Sequence, residues 1–189
     1  MSASSTARAR KPNAPRSPSV AAAPGTSRSG GTSVKTARRS RSVVEGFVGK
    51  VRKARPLDLV EIERAGVEGR LLKDLATVLQ LPAARFFEVI GIPKATAERK
   101  VAAGDQLVAG SAGVAAIGVA RLLGIAQSML HESTADEAKG FDAGRWLGRW
   151  LEQPQPALGG KKPSELLDTP TGIDIVARVL GAIGSGAYQ

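Results

Sequence analysis

From residue 57 onward, apolar side chains recur every three or four positions, the spacing that places them on one face of a helix. The clearest case is a set of five between residues 71 and 79: Leu71, Leu72, Leu75, Ala76 and Leu79. Glycine and proline interrupt this pattern at short intervals. The pattern therefore predicts an all-α fold made of short helices.

Four helices are predicted before residue 104. The first runs from Leu57 to Ala65, the second ends at Leu81, the third carries Phe86 and Phe87, and the fourth follows Pro93. The last three form a helix-turn-helix-like bundle, with Gly91 at the corner before a polar, basic helix. A plain helical bundle with an exposed last helix is the alternative. The residues predicted to contact DNA are Lys94, Thr96, Arg99 and Lys100.

Residues 107–126 form an apolar stretch that is rich in glycine. Its length is that of a membrane span, but glycine and alanine add little hydrophobicity and Arg121 would be costly in hydrocarbon. A helix that packs closely on another helix through its small residues, capped by Ser111, is the preferred interpretation.

The last third of the chain predicts a second helical unit. Residues 136–152 have helical spacing, with Trp146 and Trp150 on one face. A loop rich in proline and glycine follows, Pro163 begins a short helix, and Thr169 is the predicted N-cap of a final helix that ends at Gly184.

The positive charge is concentrated at the amino-terminal end. The chain has 189 residues and a net charge of +10. Residues 1–55 carry 13 lysines and arginines against one acid, a net of +12, and the remaining residues carry 14 against 16, a net of −2. Without apolar periodicity near its start, this segment is predicted to be a disordered basic arm. A solvated tail, a phosphate-binding arm and a transit peptide are the three interpretations of it.

The residue types exclude several kinds of catalytic chemistry. There is no cysteine, and His131 is the only histidine, so neither a thiolate nucleophile nor a Cys/His metal cluster can form. The Gly159-Gly160-Lys161-Lys162 segment lacks the spacing of a phosphate-binding loop. We expect no enzyme activity and no cofactor.

The region 141–188 resembles a known family. A Trp-Leu pair, the run PxxALGGKKPxELLDTxxG and a final GxGAY are similar to the toxin-binding domain of Xre/MbcA/ParS-type antitoxins. Residues 66–126 resemble that family's Xre-like helix-turn-helix more loosely. The resemblance divides the chain into a disordered arm (1–55), a helix-turn-helix region (56–130) and a toxin-binding domain (131–189).

The resemblance implies a cytoplasmic antitoxin. Its expected partner is a cognate RES-type toxin that degrades NAD or ADP-ribosylates a target. The antitoxin would act as a homodimer in a larger complex, without contact to a membrane, and would repress its own operon by binding operator DNA. A free-standing DNA-binding regulator or nucleoid-associated protein and an assembly adaptor are the alternatives.

Two kinds of residue are predicted to contact the toxin. Trp146 and Trp150 would be aromatic anchors, although either would serve equally in the core of the domain. The loop and the chain end complete the predicted site, with Leu158, Gly159, Gly160, Lys161, Lys162, Pro163, Gly186, Ala187, Tyr188 and Gln189.

Overall fold

The protein is built almost entirely of helices. The structure is a computed structural model, and it describes residues 30–132 and 140–185. The α-helices are α1 Gly30–Lys53, α2 Pro56–Ala65, α3 Gly69–Leu79, α4 Ala83–Val89, α5 Lys94–Ala103, α6 Gly110–Glu132, α7 Ala143–Leu151 and α8 Pro170–Gly184. Two 3₁₀ turns, Pro156–Leu158 and Pro163–Glu165, lie between α7 and α8. The predicted all-α class is confirmed.

The apolar helix α6 lies at the centre and packs against α1, α2, α7 and α8. Its segment Gly110–Leu130 is long and apolar enough to cross a membrane, but 61% of the apolar stretch is buried inside the fold. Small residues allow close helix packing: a Cβ on Gly118 would lie 2.7 Å from Ile173 Cδ1 of α8, and one on Gly124 3.3 Å from Val48 of α1. The predicted close packing is confirmed, and it occurs within one chain.

The predicted disordered arm is wrong for residues 30–53. These residues form α1, which packs against α3 and α6. Val44, Val48 and Val51 recur at helical spacing and are buried, so this part of the arm has an apolar face after all. The Ser40 hydroxyl also donates to Asp74 Oδ1 at 2.6 Å. Residues 1–29 lie outside the described residues.

A short antiparallel ladder replaces the predicted start of the apolar helix. Strand β1 (Val67–Glu68) pairs with β2 (Leu107–Val108), with Val67 opposite Val108. Helix α6 begins only at Gly110, whose φ is 70°, so Ser111 lies in its first turn and does not precede it as a cap. A strand forms here instead of a helix because the side chains of Val67 and Val108 are buried, and pairing of the two strands satisfies the hydrogen bonds of the backbone beside them.

Most of the other predicted helix ends are confirmed, with one further correction. Gly91 has the positive φ (68°) expected at the corner, and Thr169 caps α8 by accepting from the Gly172 amide at 3.1 Å. The helix predicted over residues 136–152 is wrong for residues 140–142, which are not helical, and residues 136–139 lie outside the described residues. Helix α7 begins at Ala143, because the Asp142 side chain accepts from the Arg145 amide and caps it. Residues 133–139 are not described.

The core is shared by the segments before and after residue 130. Leu72, Leu75 and Phe86 belong to the same buried cluster as Leu147 and Leu180. The carboxy-terminal segment is therefore held by the helices that precede it.

Candidate functional site

Two glycines allow helix α7 to pack closely against α3. A Cβ on Gly144 would lie 2.6 Å from Val78 Cγ1, and one on Gly148 would overlap the Leu79 carbonyl oxygen. Because the two glycines are four residues apart, they share one face of the helix. This close contact sets the direction in which the other faces of α7 point.

Three aromatic rings follow the side of α7 from the core to the surface. Trp150 is 6% exposed and belongs to the core, whereas Phe141 is 43% exposed. Trp146 lies between them, half-buried: its ring is stacked on Trp150 with centroids 6.2 Å apart, and tilted against Phe141 at 6.3 Å. Trp146 of α7 and Phe141, which precedes the helix, are thus the aromatic residues of this cluster that a partner can touch.

The segment 153–162, here called the tip loop, is closed on itself by backbone hydrogen bonds. The Gln155 carbonyl accepts from the Leu158 and Gly160 amides at 2.9 and 3.0 Å, and the Gln155 amide donates to the Lys161 carbonyl at 3.0 Å. Gly159 and Gly160 have φ values of 65° and 80°, which glycine adopts at little cost. The loop is therefore ordered before any partner binds.

A charge cluster ties the tip loop to α4. Arg85 donates from Nε to Glu152 Oε1 at 2.9 Å and from Nη2 to Ser164 Oγ at 3.3 Å. Lys162 Nζ lies 3.6 Å from Glu152 Oε2. Burial raises the pKa of Glu152, but hydrogen bonds and charge from Arg85 and Lys162 outweigh it, so the net effect lowers that pKa. The hydrogen bond to Glu152 in turn raises the pKa of Arg85.

The start of α8 closes the other side of the site. A Cβ on Gly172 would overlap the Leu166 carbonyl oxygen, so only glycine fits there. Leu167 is fully buried just before the Thr169 cap. The second 3₁₀ turn and α8 are consequently fixed relative to the tip loop.

The predicted toxin-contact residues fall into three groups by exposure. Gly159, Gly160 and Lys161 are exposed at the tip. Trp146, Leu158 and Lys162 are half-buried, while Trp150 and Pro163 are buried and support the fold. The predicted residues Gly186, Ala187, Tyr188 and Gln189 lie outside the described residues.

Sequence reasoning missed the residues that position the tip loop. Arg85 is 67 positions from Glu152, so no local spacing could indicate their pairing. Gly144 and Gly148, in contrast, offered a signal, since two glycines four apart on an amphipathic helix indicate close approach.

The predicted DNA-contact helix α5 is largely occupied by contacts within the chain. Lys94 lies 3.8 Å from Glu98, and Lys100 Nζ donates to the Leu107 carbonyl of β2 at 2.6 Å. Thr96 is half-buried. Arg99 is exposed, and no carboxylate in the described part of the chain pairs with it. This leaves Arg99 as the cation of α5 most available to DNA.

Within residues 30–132 and 140–185, no group of three or more His, Asp or Glu side chains is placed to hold a metal ion. The tip loop and its neighbours present hydrogen-bonded backbone, two lysines, of which Lys162 is paired with Glu152, and two aromatic rings. This is the chemistry of an interface between proteins.

Comparison with known proteins accounts for this arrangement. Residues 141–186 match the family model described as the antitoxin Xre/MbcA/ParS C-terminal toxin-binding domain. A curated relative, the Prs ADP-ribosylating antitoxin of Sphingobium sp. (strain YBL2), is 38% identical over 136 residues, which cover 72% of this chain and 84% of the relative. The chain belongs to the Xre/MbcA/ParS antitoxin family. The matched range contains α7, the tip loop, both 3₁₀ turns and the whole of α8.

Proposed function

We propose that this antitoxin acts in the cytoplasm and neutralises a cognate RES-type toxin through the tip loop and its flanking aromatic residues. The toxin would be one that ADP-ribosylates a target or degrades NAD. The similarity to the Prs ADP-ribosylating antitoxin favours the first of these activities.

The observation that carries this proposal is the preordered tip loop within the matched domain. Backbone hydrogen bonds close the loop, and Arg85 and Lys162 hold its base at Glu152. A loop that is already ordered loses little conformational entropy when it docks. A rigid, exposed loop of this kind suits insertion into a cleft of another protein.

The exposed side chains indicate which kind of contact each part of the site would make with the toxin. Lys161 supplies a positive charge at the tip, and Ala157, Gly159 and Gly160 beside it are exposed and small, so a partner surface can approach the backbone closely. Trp146 and Phe141 supply apolar contact area in the amino-terminal part of the toxin-binding domain. The proposal includes a contribution from residues 186–189.

The first experiment measures binding to the toxin encoded beside this gene by isothermal titration calorimetry. We expect Lys161→Glu to weaken the affinity by at least about tenfold, the effect of an interface hot spot. Ala157→Arg should do the same by blocking close approach. Removal of residues 186–189 should also weaken binding and reduce protection of cells from the toxin.

Matched controls carry the same changes away from the tip. Lys73→Glu on α3 and Ala84→Arg on α4 alter exposed residues outside the proposed site, and we expect wild-type binding from both. Absence of association between the full-length protein and the toxin would refute the proposal. So would wild-type affinity in both tip variants.

The proposal extends to autorepression by a homodimer through α5. Arg99 is the exposed, unpaired cation of that helix within the described part of the chain. Arg99→Ala should reduce retardation of operator DNA while leaving protection from the toxin unchanged. Arg99 is preferred to Lys100, because removal of Lys100 would also break the bond to β2. Operator retardation that is unaffected by Arg99→Ala would exclude this role of α5.

A further inference from the structure

A narrow arc of α1 carries only positive charge, and the exposed Glu45 lies about 20° beyond its edge. Lys35, Arg38, Arg39, Lys50 and Lys53 lie within an arc of about 120° on the helix, opposite the buried valines. All five are exposed, and none forms an ion pair with a carboxylate of residues 30–132 or 140–185. We call these five residues, with the small residues between them, the outer face of α1.

The residues between the charges are unusually small. Ser42, Gly46 and Gly49 occupy the middle of the outer face, and a Cβ added to either glycine would meet nothing within 4 Å. Glycine destabilises an exposed helix relative to alanine, and packing within the chain does not require it here. The small residues do leave the helix backbone open to close approach by an outside surface.

We propose that the outer face of α1 binds the phosphate backbone of a nucleic acid duplex without reading its sequence. The site is separate from the tip loop and goes beyond toxin neutralisation. Backbone binding depends mainly on the number of phosphates that lysine and arginine neutralise. Residues 56–189 have a net charge of −2, so the excess of positive charge that attracts a polyanion without regard to sequence lies in the amino-terminal part.

The spacing of the charges suits a duplex. The outer face extends about 27 Å from Lys35 to Lys53 at the rise of an α-helix. Its charges form two groups, separated by about 15 Å of small residues. The major groove of B-DNA is about 12 Å wide, so each group can meet the phosphates on one side of it.

Two other anionic partners fit the outer face less well. An amphipathic helix that binds membranes inserts its apolar face, but the apolar face of α1 is buried against α3 and α6. A protein interface generally uses aromatic anchors, and the outer face has none. A polyanion that requires charge and close approach is therefore the favoured occupant.

The test uses the full-length protein and a fluorescein-labelled 30-base-pair duplex of random sequence. Anisotropy is measured from 50 to 300 mM salt. We expect replacement of all five cations by glutamine to lower the affinity and to reduce the salt slope by up to about 4.5, since each phosphate contact contributes about 0.9. The control has the same loss of charge at five exposed positions elsewhere: Arg70, Lys73, Arg145, Arg149 and Arg178. It should keep most of the wild-type slope.

A second variant tests close approach without changing the charge. Gly46→Gln with Gly49→Gln fills the open strip, and the helix tolerates glutamine because nothing lies within 4 Å. We expect weaker duplex binding at unchanged helicity by circular dichroism. For comparison, binding to two other partners is measured on the same variants. One partner is the cognate toxin, and the other is a vesicle that contains 30% phosphatidylserine.

Three results would overturn the proposal. One is a wild-type salt slope in the five-glutamine variant, and another is an equal loss in the charge-matched control. The third is loss of vesicle or toxin binding with duplex binding retained. Toxin binding is measured in parallel on the same variants, so failure of the neutralising role would be recognised separately.

Discussion

At the scale of single residues, the glycines of α7 decide where the toxin-binding module sits. Gly148 leaves no room for a Cβ beside the Leu79 carbonyl, whereas a Cβ on Gly181 of α8 would meet nothing within 4 Å. These two helical glycines look alike in the sequence. Their surroundings make one indispensable and the other replaceable.

Gly148→Ala is expected to lower the free energy of unfolding by about 1 to 3 kcal/mol, because α7 must move away from α3. Gly181→Ala is the matched control and should be neutral or stabilise by up to about 1 kcal/mol. Urea unfolding followed by tryptophan fluorescence measures both. Equal stability of the two variants would show that the contact between α7 and α3 is not close.

Glu152 makes the stability of the fold depend on pH in the acid range. Its pKa is lower in the folded chain than in the unfolded chain, so its stabilising effect is present above the usual glutamate range and is lost as the pH falls through the folded pKa. We expect Glu152→Gln to lower the melting temperature at pH 7 and to differ little from wild type near pH 3. Glu165→Gln, an exposed control, should follow the wild-type profile. A constant difference across this range would contradict the assignment.

At the scale of helices, α1 shows how a charged segment can still belong to a core. Basic residues dominate the composition of residues 1–55, so the composition alone does not reveal the apolar set of Val44, Val48 and Val51. Burial of one face beside α3 and α6 leaves the opposite face free for charge. The same helix therefore contributes to stability and to the proposed binding of nucleic acid.

Val48→Ala is expected to destabilise the protein by about 1 to 3 kcal/mol, as for other truncations of buried side chains. Val34, on the same helix, is 69% exposed, and Val34→Ala should change stability by less than about 0.5 kcal/mol. Thermal unfolding compares the two. If Val48→Ala were as stable as Val34→Ala, α1 would not be part of the folded core.

At the scale of the whole molecule, two proposed surfaces belong to different elements. The tip loop is held by Arg85 of α4 and by α7, and the outer face of α1 has no ion pair with the described residues of either. Arg41, which does pair with Asp142 at 2.7 Å, lies on the flank of α1 and not on its outer face.

The two surfaces should therefore be separable by mutation. The five-glutamine variant of α1 should bind the toxin with wild-type affinity, and Lys161→Glu should bind the random duplex as wild type does. Calorimetry with the toxin and anisotropy with the duplex measure both properties on each variant. Loss of both properties from either set of substitutions would show that the surfaces are one site.

The sequence by itself determined the helical class, the positions of most helix ends and the family. These depend on neighbours along the chain: the period of apolar residues, prolines at helix starts, glycines at corners, and the run from Pro154 to Gly172. Local chemistry also indicated the tip loop, because consecutive glycines between prolines make a turn whatever lies around it.

Only the tertiary structure decided which of these residues are available to a partner. Trp146 and Trp150 are equivalent by spacing, yet Trp150 is in the core, and Lys100 is bound to a strand carbonyl that sequence analysis had placed in a helix. Burial and pairing depend on residues far apart in the chain, such as Arg85 with Glu152, and the folded core brings them together. For that reason the kind of partner can be inferred from the sequence, whereas the surface that meets it required the fold.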